Sequence, residues 1–146
     1  CRVEKLGGFE PIERKEWVPD EQLEEHCSAM TELLNLMPFE GLDHSDIVIT
    51  AETAREWRAR MQRIGSINPT VVVRDADGPV SGMTDILKHP YETGIVRQLF
   101  TGVHPRARGR GLGKWMKAAM LLHVRRALPD TCAPPRAFSY SKCLPR

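Results

Sequence analysis

The sequence lacks the features that would indicate a metal-binding, membrane-spanning or disulfide-bonded protein. Its four cysteines form no C-x-x-C pair and have no histidine at the spacing of a zinc site. No apolar run approaches the ~20 residues of a membrane-spanning helix, and no signal peptide is recognisable. Internal repeats and low-complexity tracts are absent as well. We therefore expect a cytoplasmic protein with reduced thiols, and we predict neither a metal nor a membrane among its partners.

The chain as a whole has little excess of either charge, but basic residues are concentrated in one segment. The 146 residues carry a net charge of only +2, so global charge predicts no partner. Between residues 104 and 129, however, the sequence has basic side chains and no acid, whereas residues 4–40 are rich in acids. The basic residues are Arg106, Arg108, Arg110, Lys114, Lys117, Arg125 and Arg126. A local basic patch suits a compact polyanion, and the alternative is a solvated helix face.

Hydrophobic periodicity predicts the order strand, helix, helix, three strands, helix in a single domain of ordinary composition. The predicted elements are a strand at 9–18, helices at 20–36 and 50–65, a hairpin at 70–88, a strand at 94–103 and a helix at 111–128. Asp20 and Thr50 are the expected N-caps, and Gly65 the expected left-handed terminator of the second helix. Cys27 falls on an apolar helix stripe, which favours a buried thiol over a reactive one.

The segment 103–114, with glycines at 109, 111 and 113, is the most informative part of the chain. Glycines between a strand and a helix allow backbone amides to approach a ligand, and the helix N-terminus favours an anion there. The dinucleotide pattern G-x-G-x-x-G fails, because Lys114 or Met116 stands where its last glycine is needed. The triphosphate pattern G-x-x-x-x-G-K-[ST] fails at Arg108 and again at Trp115.

The pattern that fits is R-x-x-G-x-G on Arg108, Gly111 and Gly113, preceded by V-x-P on Val103 and Pro105. This segment resembles the acetyl-CoA pyrophosphate loop of the GCN5-related N-acetyltransferases (GNAT). The resemblance covers about residues 10–128 of one domain spanning 1–146. It implies an α/β, mixed-sheet acyl-CoA N-acyltransferase fold. The alternative is a glycine-rich strand-to-helix turn with incidental arginines.

The resemblance implies a role for each part of the loop. The residues it assigns to acetyl-CoA are Val103, Arg108, Gly109, Arg110, Gly111, Leu112, Gly113 and Lys114. The backbone of Val103 would bond the pantetheine arm, and the amides of 108–114 would hold the pyrophosphate. Leu112 would anchor the helix in the core, whereas Arg110, like Arg106, could equally face solvent.

The implied reaction is acetylation of a primary amine, of a small molecule or peptide, by direct attack on acetyl-CoA as co-substrate, with no metal. The catalytic base is often a carboxylate of the central strands, and Asp85 is the candidate here, with Glu92 behind it. The alternative for Asp85 is an ordinary solvent-facing strand residue. We expect His89, His104 and His123 to be structural or surface residues.

The region after the third helix departs from the family. Residues 129–146 contain Pro134-Pro135, are too few for the remaining strands, and do not surround Tyr140 with the pattern of the family's general acid. The sequence therefore predicts that the C-terminal strands are missing, by truncation or an altered reading frame.

The resemblance is greatest to actinobacterial-type members, which often carry two such domains. The chain begins with Cys1, and the resemblance implies that it is a fragment of such a protein. Its partner would then be a second GNAT domain or a second copy in a homodimer. A catalytically inactive acyl-CoA-binding remnant is the second hypothesis. A nucleic-acid-binding module using residues 106–126 is the third; it is disfavoured, and we predict no nucleic-acid partner, because aromatic residues are not interleaved with the basic ones.

Overall fold

The computed structural model of the chain describes residues 9–14, 16–37, 46–75 and 78–129, and the element order is the one that periodicity predicts. The strands are β1 (Phe9–Arg14), β2 (Thr70–Asp75), β3 (Val80–Leu87) and β4 (Arg97–Val103). The helices are α1 (Leu23–Asn35), α2 (Ala51–Arg63) and α3 (Leu112–Ala127), with short 3-10 turns at Asp20–Gln22 and Pro105–Ala107. The predictions for the tail, including Tyr140, lie outside the described residues.

The four strands form one antiparallel sheet in the order β1-β2-β3-β4. The predicted hairpin is confirmed as β2 and β3, in which Thr70 pairs with Asp85. Between β3 and β4 the register shifts, because Asp85 pairs with Phe100 while Ile86 pairs with Gln98. Leu99 is thus the extra residue of a β-bulge, a device that bends a strand and separates it from its neighbour.

Helices cover both faces of this sheet. Consecutive strand residues point to opposite faces, so Val71 and Val73 pack with Met116 of α3 on one side. Val72, between them, packs with Leu33 of α1 on the other side. The apolar face of α3 therefore packs on the sheet. Within the described ranges, none of the helices combines the length and apolar character of a membrane span.

Helix α2 follows its local sequence signals closely. The side chain of Thr50 accepts a hydrogen bond from the backbone amide of Thr53, and the side chain of Thr53 accepts one from the Thr50 amide, so the two form a capping box. Gly65 follows the helix with φ +73°, which confirms the left-handed terminator. Cys27 is buried at 2% exposure, as expected, and burial raises the pKa of its thiol.

Two predictions at the start of the chain are wrong. Asp20 caps no helix: α1 begins later, at Leu23, and the Asp20 carboxylate instead pairs with Arg58 and Arg55 of α2. The first strand ends at Arg14, not at residue 18. Trp17 and Val18 are apolar because they pack beneath α1 and α2, and not because they continue the strand.

Candidate active site

The glycine loop leaves β4 and enters α3 in a conformation that its sequence requires. Gly109 and Gly111 have φ of +77° and +76°, in the left-handed region that favours glycine. A Cβ atom at either position would meet no atom within 4 Å. The two glycines therefore serve the backbone conformation, and the outer side of the loop is open to a ligand.

The N-terminus of α3 is left uncapped by side chains. Its N-cap residue is Gly111, which supplies no acceptor, and the first turn contains no acid. The first amides of a helix have no partner within the helix and carry a partial positive charge. Lys114 is exposed in this turn. Open amides, a positive helix end and a nearby cation together form a geometry that suits a phosphate group.

The arginines of the loop are directed differently from one another. Arg108 donates from Nε to the carbonyl of Val103 at 3.1 Å and from Nη2 to that of Leu36 at 3.4 Å, so it ties the loop back to β4 and α1. Arg106 is exposed and does not join the glycines, because its Nη2 donates to the carbonyl of Val80 at 2.8 Å. Arg110 is exposed on the loop.

A cavity of about 410 Å³ lies on the face of the sheet that α1 and α2 cover. Its walls are mostly apolar and come from α1, α2, the segment around Trp17 and the bulged part of β4. Trp17 and Trp57 lie edge to face at its wall, with ring centroids 5.7 Å apart. Asp85 of β3 and Asn68, which precedes β2, also line it.

Asp85 is buried at 6% exposure, which excludes the solvent-facing alternative. Its Oδ1 accepts from the backbone amide of Phe100 at 2.9 Å, and its Oδ2 accepts from Asn68 Nδ2 at 3.2 Å. Burial raises the pKa of this carboxyl to about 6, although both hydrogen bonds oppose the rise. A carboxylate with such a pKa is ionised at neutral pH and is a better proton acceptor than an ordinary aspartate.

Gln98 and Asn68 support this arrangement, and sequence reasoning missed both. Gln98 Nε2 donates to the carbonyls of Asp85 at 2.7 Å and Phe100 at 2.8 Å, which holds the strands together beside the bulge. Asn68 also donates to the carbonyl of Ile86 at 2.6 Å, which fixes its amide next to Asp85. Asn68 lies in an irregular segment without a motif, so no local signal could have marked it.

The other candidates lie elsewhere. Both carboxylate oxygens of Glu92 accept from Arg97, which lowers the pKa of Glu92. His89 Nδ1 lies 2.6 Å from Ser66 Oγ, His104 Nε2 lies 3.0 Å from Glu32 Oε1, and His123 is buried on α3. None of these side chains is among the described residues that line the cavity. Within the same described ranges, no three His, Cys, Asp or Glu side chains are grouped as metal ligands would be.

Comparison with known proteins identifies the fold. No protein-family model matches the chain, and no curated protein matches it. Among solved structures it is similar to a tandem GNAT protein from the clavulanic acid biosynthesis pathway, solved without acetyl-CoA. The TM-score is 0.65 and the identity 24%, over 85% of this chain and 35% of the other. The chain thus spans about a third of that protein's length.

Two further structures agree. A GNAT-family acetyltransferase from Streptococcus pneumoniae matches with TM-score 0.57 and 18% identity, over 81% of this chain and 69% of the other. The protein yncA from Salmonella typhimurium, described as an acetyltransferase and solved with its cofactor acetyl-CoA, matches with TM-score 0.51 and 20% identity, over 81% and 65%. The chain therefore has the GNAT acyl-CoA N-acyltransferase fold, as the glycine motif predicts.

Proposed function

We propose that this protein is an N-acetyltransferase that transfers an acetyl group from acetyl-CoA to a primary amine by direct attack. The observation that carries the proposal is the open, uncapped glycine loop at the N-terminus of α3. This loop follows β4, the strand whose bulge adjoins the buried Asp85. Acetyl-CoA bound by the yncA structure supports the choice of co-substrate. The single domain over residues 1–146 and the cytoplasmic location belong to the same proposal, as does a homodimer or a second GNAT domain.

The binding step uses residues of the loop and of β4. Of the predicted amides of 108–114, that of Arg108 donates to the Pro105 carbonyl at 3.2 Å, so the amides of 109–114 hold the pyrophosphate. Lys114 adds a full charge beside the helix end. The backbone of Val103 bonds the pantetheine arm at the end of β4. Because Arg108 already donates to the Val103 carbonyl, it orients that peptide group as well as supplying charge.

The chemical step requires positioning and one proton acceptor. Asp85 takes a proton from the ammonium of the substrate, and the free amine nitrogen attacks the acetyl carbonyl carbon. A carbon–nitrogen bond forms, the carbon–sulfur bond of the thioester breaks, and CoA leaves as a thiolate that water protonates. Asn68 and the amide of Phe100 hold the Asp85 carboxylate in place during the transfer.

Thermal unfolding with and without acetyl-CoA tests the proposal, with Gly111→Asp as the variant and Gly65→Asp as the matched control. Both glycines have positive φ, so both variants carry similar backbone strain. Only Gly111 lies at the loop. Acetyl-CoA at ~100 times its dissociation constant stabilises a folded protein by about 2.7 kcal/mol. We expect this shift in the parent chain and in Gly65→Asp, and its loss in Gly111→Asp.

Turnover separates an enzyme from a binding remnant. Release of CoA thiol in the presence of an amine supports the enzyme. Stabilisation by acetyl-CoA without release of thiol on any amine favours the inactive acyl-CoA-binding remnant. A cooperative unfolding transition that ignores acetyl-CoA contradicts both.

A further inference from the structure

The cavity on the α1–α2 face carries an aromatic surface that the described residues leave partly exposed. Two of the chain's three tryptophans, Trp17 and Trp57, lie there and are only half-buried. Their rings are inclined at 68° to one another. Indole is a large apolar group that usually gains stability by burial and that binds aromatic rings and cations on its face. A half-buried, edge-to-face pair at a cavity wall therefore offers a contact surface for an aromatic ligand.

The pair is held in place by Arg58, which itself lines the cavity. Arg58 of α2 donates from Nη1 to the carbonyl of Val18 at 3.1 Å and pairs through Nη2 with Asp20. These contacts join α2 to the segment that carries Trp17 and fix the two indoles relative to each other. Asp20 offsets part of the charge of Arg58, because its carboxylate is shared between Arg58 and Arg55.

The carboxylate inside the cavity favours a ligand with a positive charge. Its ionisable lining groups among the described residues are His26, Cys27, Arg58 and Asp85, of which Asp85 is the one carboxylate. An ionised carboxylate accepts about four hydrogen bonds, and the side-chain and amide donors that reach Asp85 from Asn68 and Phe100 leave capacity for a ligand ammonium.

The size and polarity of the cavity restrict the rest of the ligand. At about 410 Å³ it lies at the small end of the range of small-molecule sites. A polyamine would need several carboxylates, and an amino sugar would need polar partners for each hydroxyl, because unpaired polar groups are costly to bury. The described walls offer instead a mostly apolar surface, a single acid and few other polar side chains, namely those of His26, Thr53, Arg58 and Asn68.

Resting on the proposed acetyltransferase function, we propose that the acceptor is a small aralkylamine, with its aromatic ring against Trp17 and Trp57 and its ammonium on Asp85. A ring joined to a primary amine by a short alkyl chain can contact both the indole pair and the Asp85 carboxylate of the same cavity. The loop glycines lie outside this cavity, so the amine and the CoA pyrophosphate occupy separate sites.

Calorimetric binding of two isosteric probes tests the assignment. 2-Phenylethylamine carries the cation, whereas 2-phenylethanol has the same shape without it. Asp85→Asn should weaken 2-phenylethylamine by about tenfold or more and leave 2-phenylethanol nearly unchanged, because only the amine loses a charge-assisted contact. Trp57→Ala should weaken both probes by about fivefold, and Trp57→Phe should restore most of the loss. Glu56→Gln, an exposed acid on the same helix, is the control and should change neither.

Ranking of amines on the unmodified chain decides the matter even where a variant fails to fold. We expect 2-phenylethylamine to bind more tightly than spermidine or glucosamine; equal or tighter binding of either overturns the proposal, as does Asp85→Asn with unchanged amine affinity. Acetylation distinguishes this failure from failure of the enzyme itself. If spermidine or glucosamine is acetylated and 2-phenylethylamine is not, the acetyltransferase function is supported and the aralkylamine acceptor is contradicted. If 2-phenylethylamine binds but no amine is acetylated, the acetyltransferase function is contradicted, while the preference of the cavity for an aralkylamine is supported.

Discussion

At the scale of single residues, the buried Asp85 shows a conflict between stability and chemistry. Its carboxyl titrates near pH 6 instead of at the ordinary value of 3.8, because burial penalises the charged form more than its hydrogen bonds stabilise it. An ionised group held in this way lowers the stability of the folded protein at neutral pH. A fold would be more stable with an uncharged residue here, and this cost supports the proposed role of Asp85 as a proton acceptor in the cavity.

Asp85→Asn therefore gives a stability prediction with a definite sign. Between about pH 4 and pH 6 Asp85 binds more proton in the folded than in the unfolded chain, so its contribution to the unfolding free energy falls as pH rises through this window. Asp20 and Glu92, whose pKa values are lowered, contribute with the opposite sign in both proteins, so the difference between the parent and Asp85→Asn isolates Asp85. The loss amounts to about 3 kcal/mol at full ionisation. It should be reduced or absent in Asp85→Asn, which we expect to be the more stable protein at pH 7.5. Urea unfolding at pH 4, 5, 6 and 7.5 measures this.

The control for this prediction is again Glu56→Gln, because the exposed Glu56 should leave the pH dependence of the parent chain unchanged. Parallel stability curves for the parent and Asp85→Asn over the whole range would show that Asp85 titrates as an ordinary carboxyl. That result would contradict the proposed role of Asp85 as a base with a raised pKa.

At the scale of elements, local signals predicted what depends on local geometry. Thr50 and Gly65 bound α2 as expected, because a capping box and a left-handed terminator involve residues a few positions apart. The glycine loop between β4 and α3 could be predicted in the same way, because its glycines are also close together in the sequence. The assignment of Asp20 failed because its partner, Arg58, is 38 positions away and draws the carboxylate off the helix end.

The cavity was unpredictable for the same physical reason. Trp17 and Trp57 lie 40 positions apart and meet only when α2 packs beside the start of α1. The resemblance to the GNAT family marked Asp85, on a predicted central strand, as a candidate base. Whether its side chain faced solvent or the cavity depended on which layer covers each face of the sheet. Asn68 and Gln98 carried no pattern at all, since their roles come from tertiary hydrogen bonds.

Gly113, in the first turn of α3, gives a prediction at this scale. Its φ is not in the left-handed region, and a Cβ there would make an ordinary 3.8 Å contact with Val103. The free protein therefore gives no reason for a glycine, and Gly113→Ala should stabilise it by about 0.5 kcal/mol through helix propensity. If the glycine exists for close approach of the pyrophosphate, the same variant should weaken acetyl-CoA by about tenfold. Thermal unfolding and calorimetry measure the two effects.

Gly111→Ala is the matched comparison, because φ +76° makes a side chain there strained by about 1 kcal/mol. A Gly113→Ala variant that is more stable and binds acetyl-CoA with unchanged affinity would mean that no ligand approaches this amide closely.

At the scale of the whole molecule, the charge distribution distinguishes a cofactor site from a general polyanion surface. The net charge of +2 gives little long-range attraction, and the basic segment lies along one helix and its preceding loop. A nucleic-acid surface would use the length of that segment, whereas a pyrophosphate site would use only its first turn. The two possibilities make different demands on Lys114 and Arg125, which are both exposed and lie at opposite ends of α3.

Lys114→Gln and Arg125→Gln separate these possibilities. Eleven positions along a helix correspond to about 16 Å, which exceeds the screening length of about 8 Å at physiological salt. Lys114→Gln should therefore weaken acetyl-CoA severalfold and flatten the salt dependence of its affinity, while Arg125→Gln should change neither. Titration at several salt concentrations measures both properties. Equal losses in the two variants, together with displacement of acetyl-CoA by single-stranded RNA, would contradict a local site, because they require phosphates to contact the basic segment from end to end.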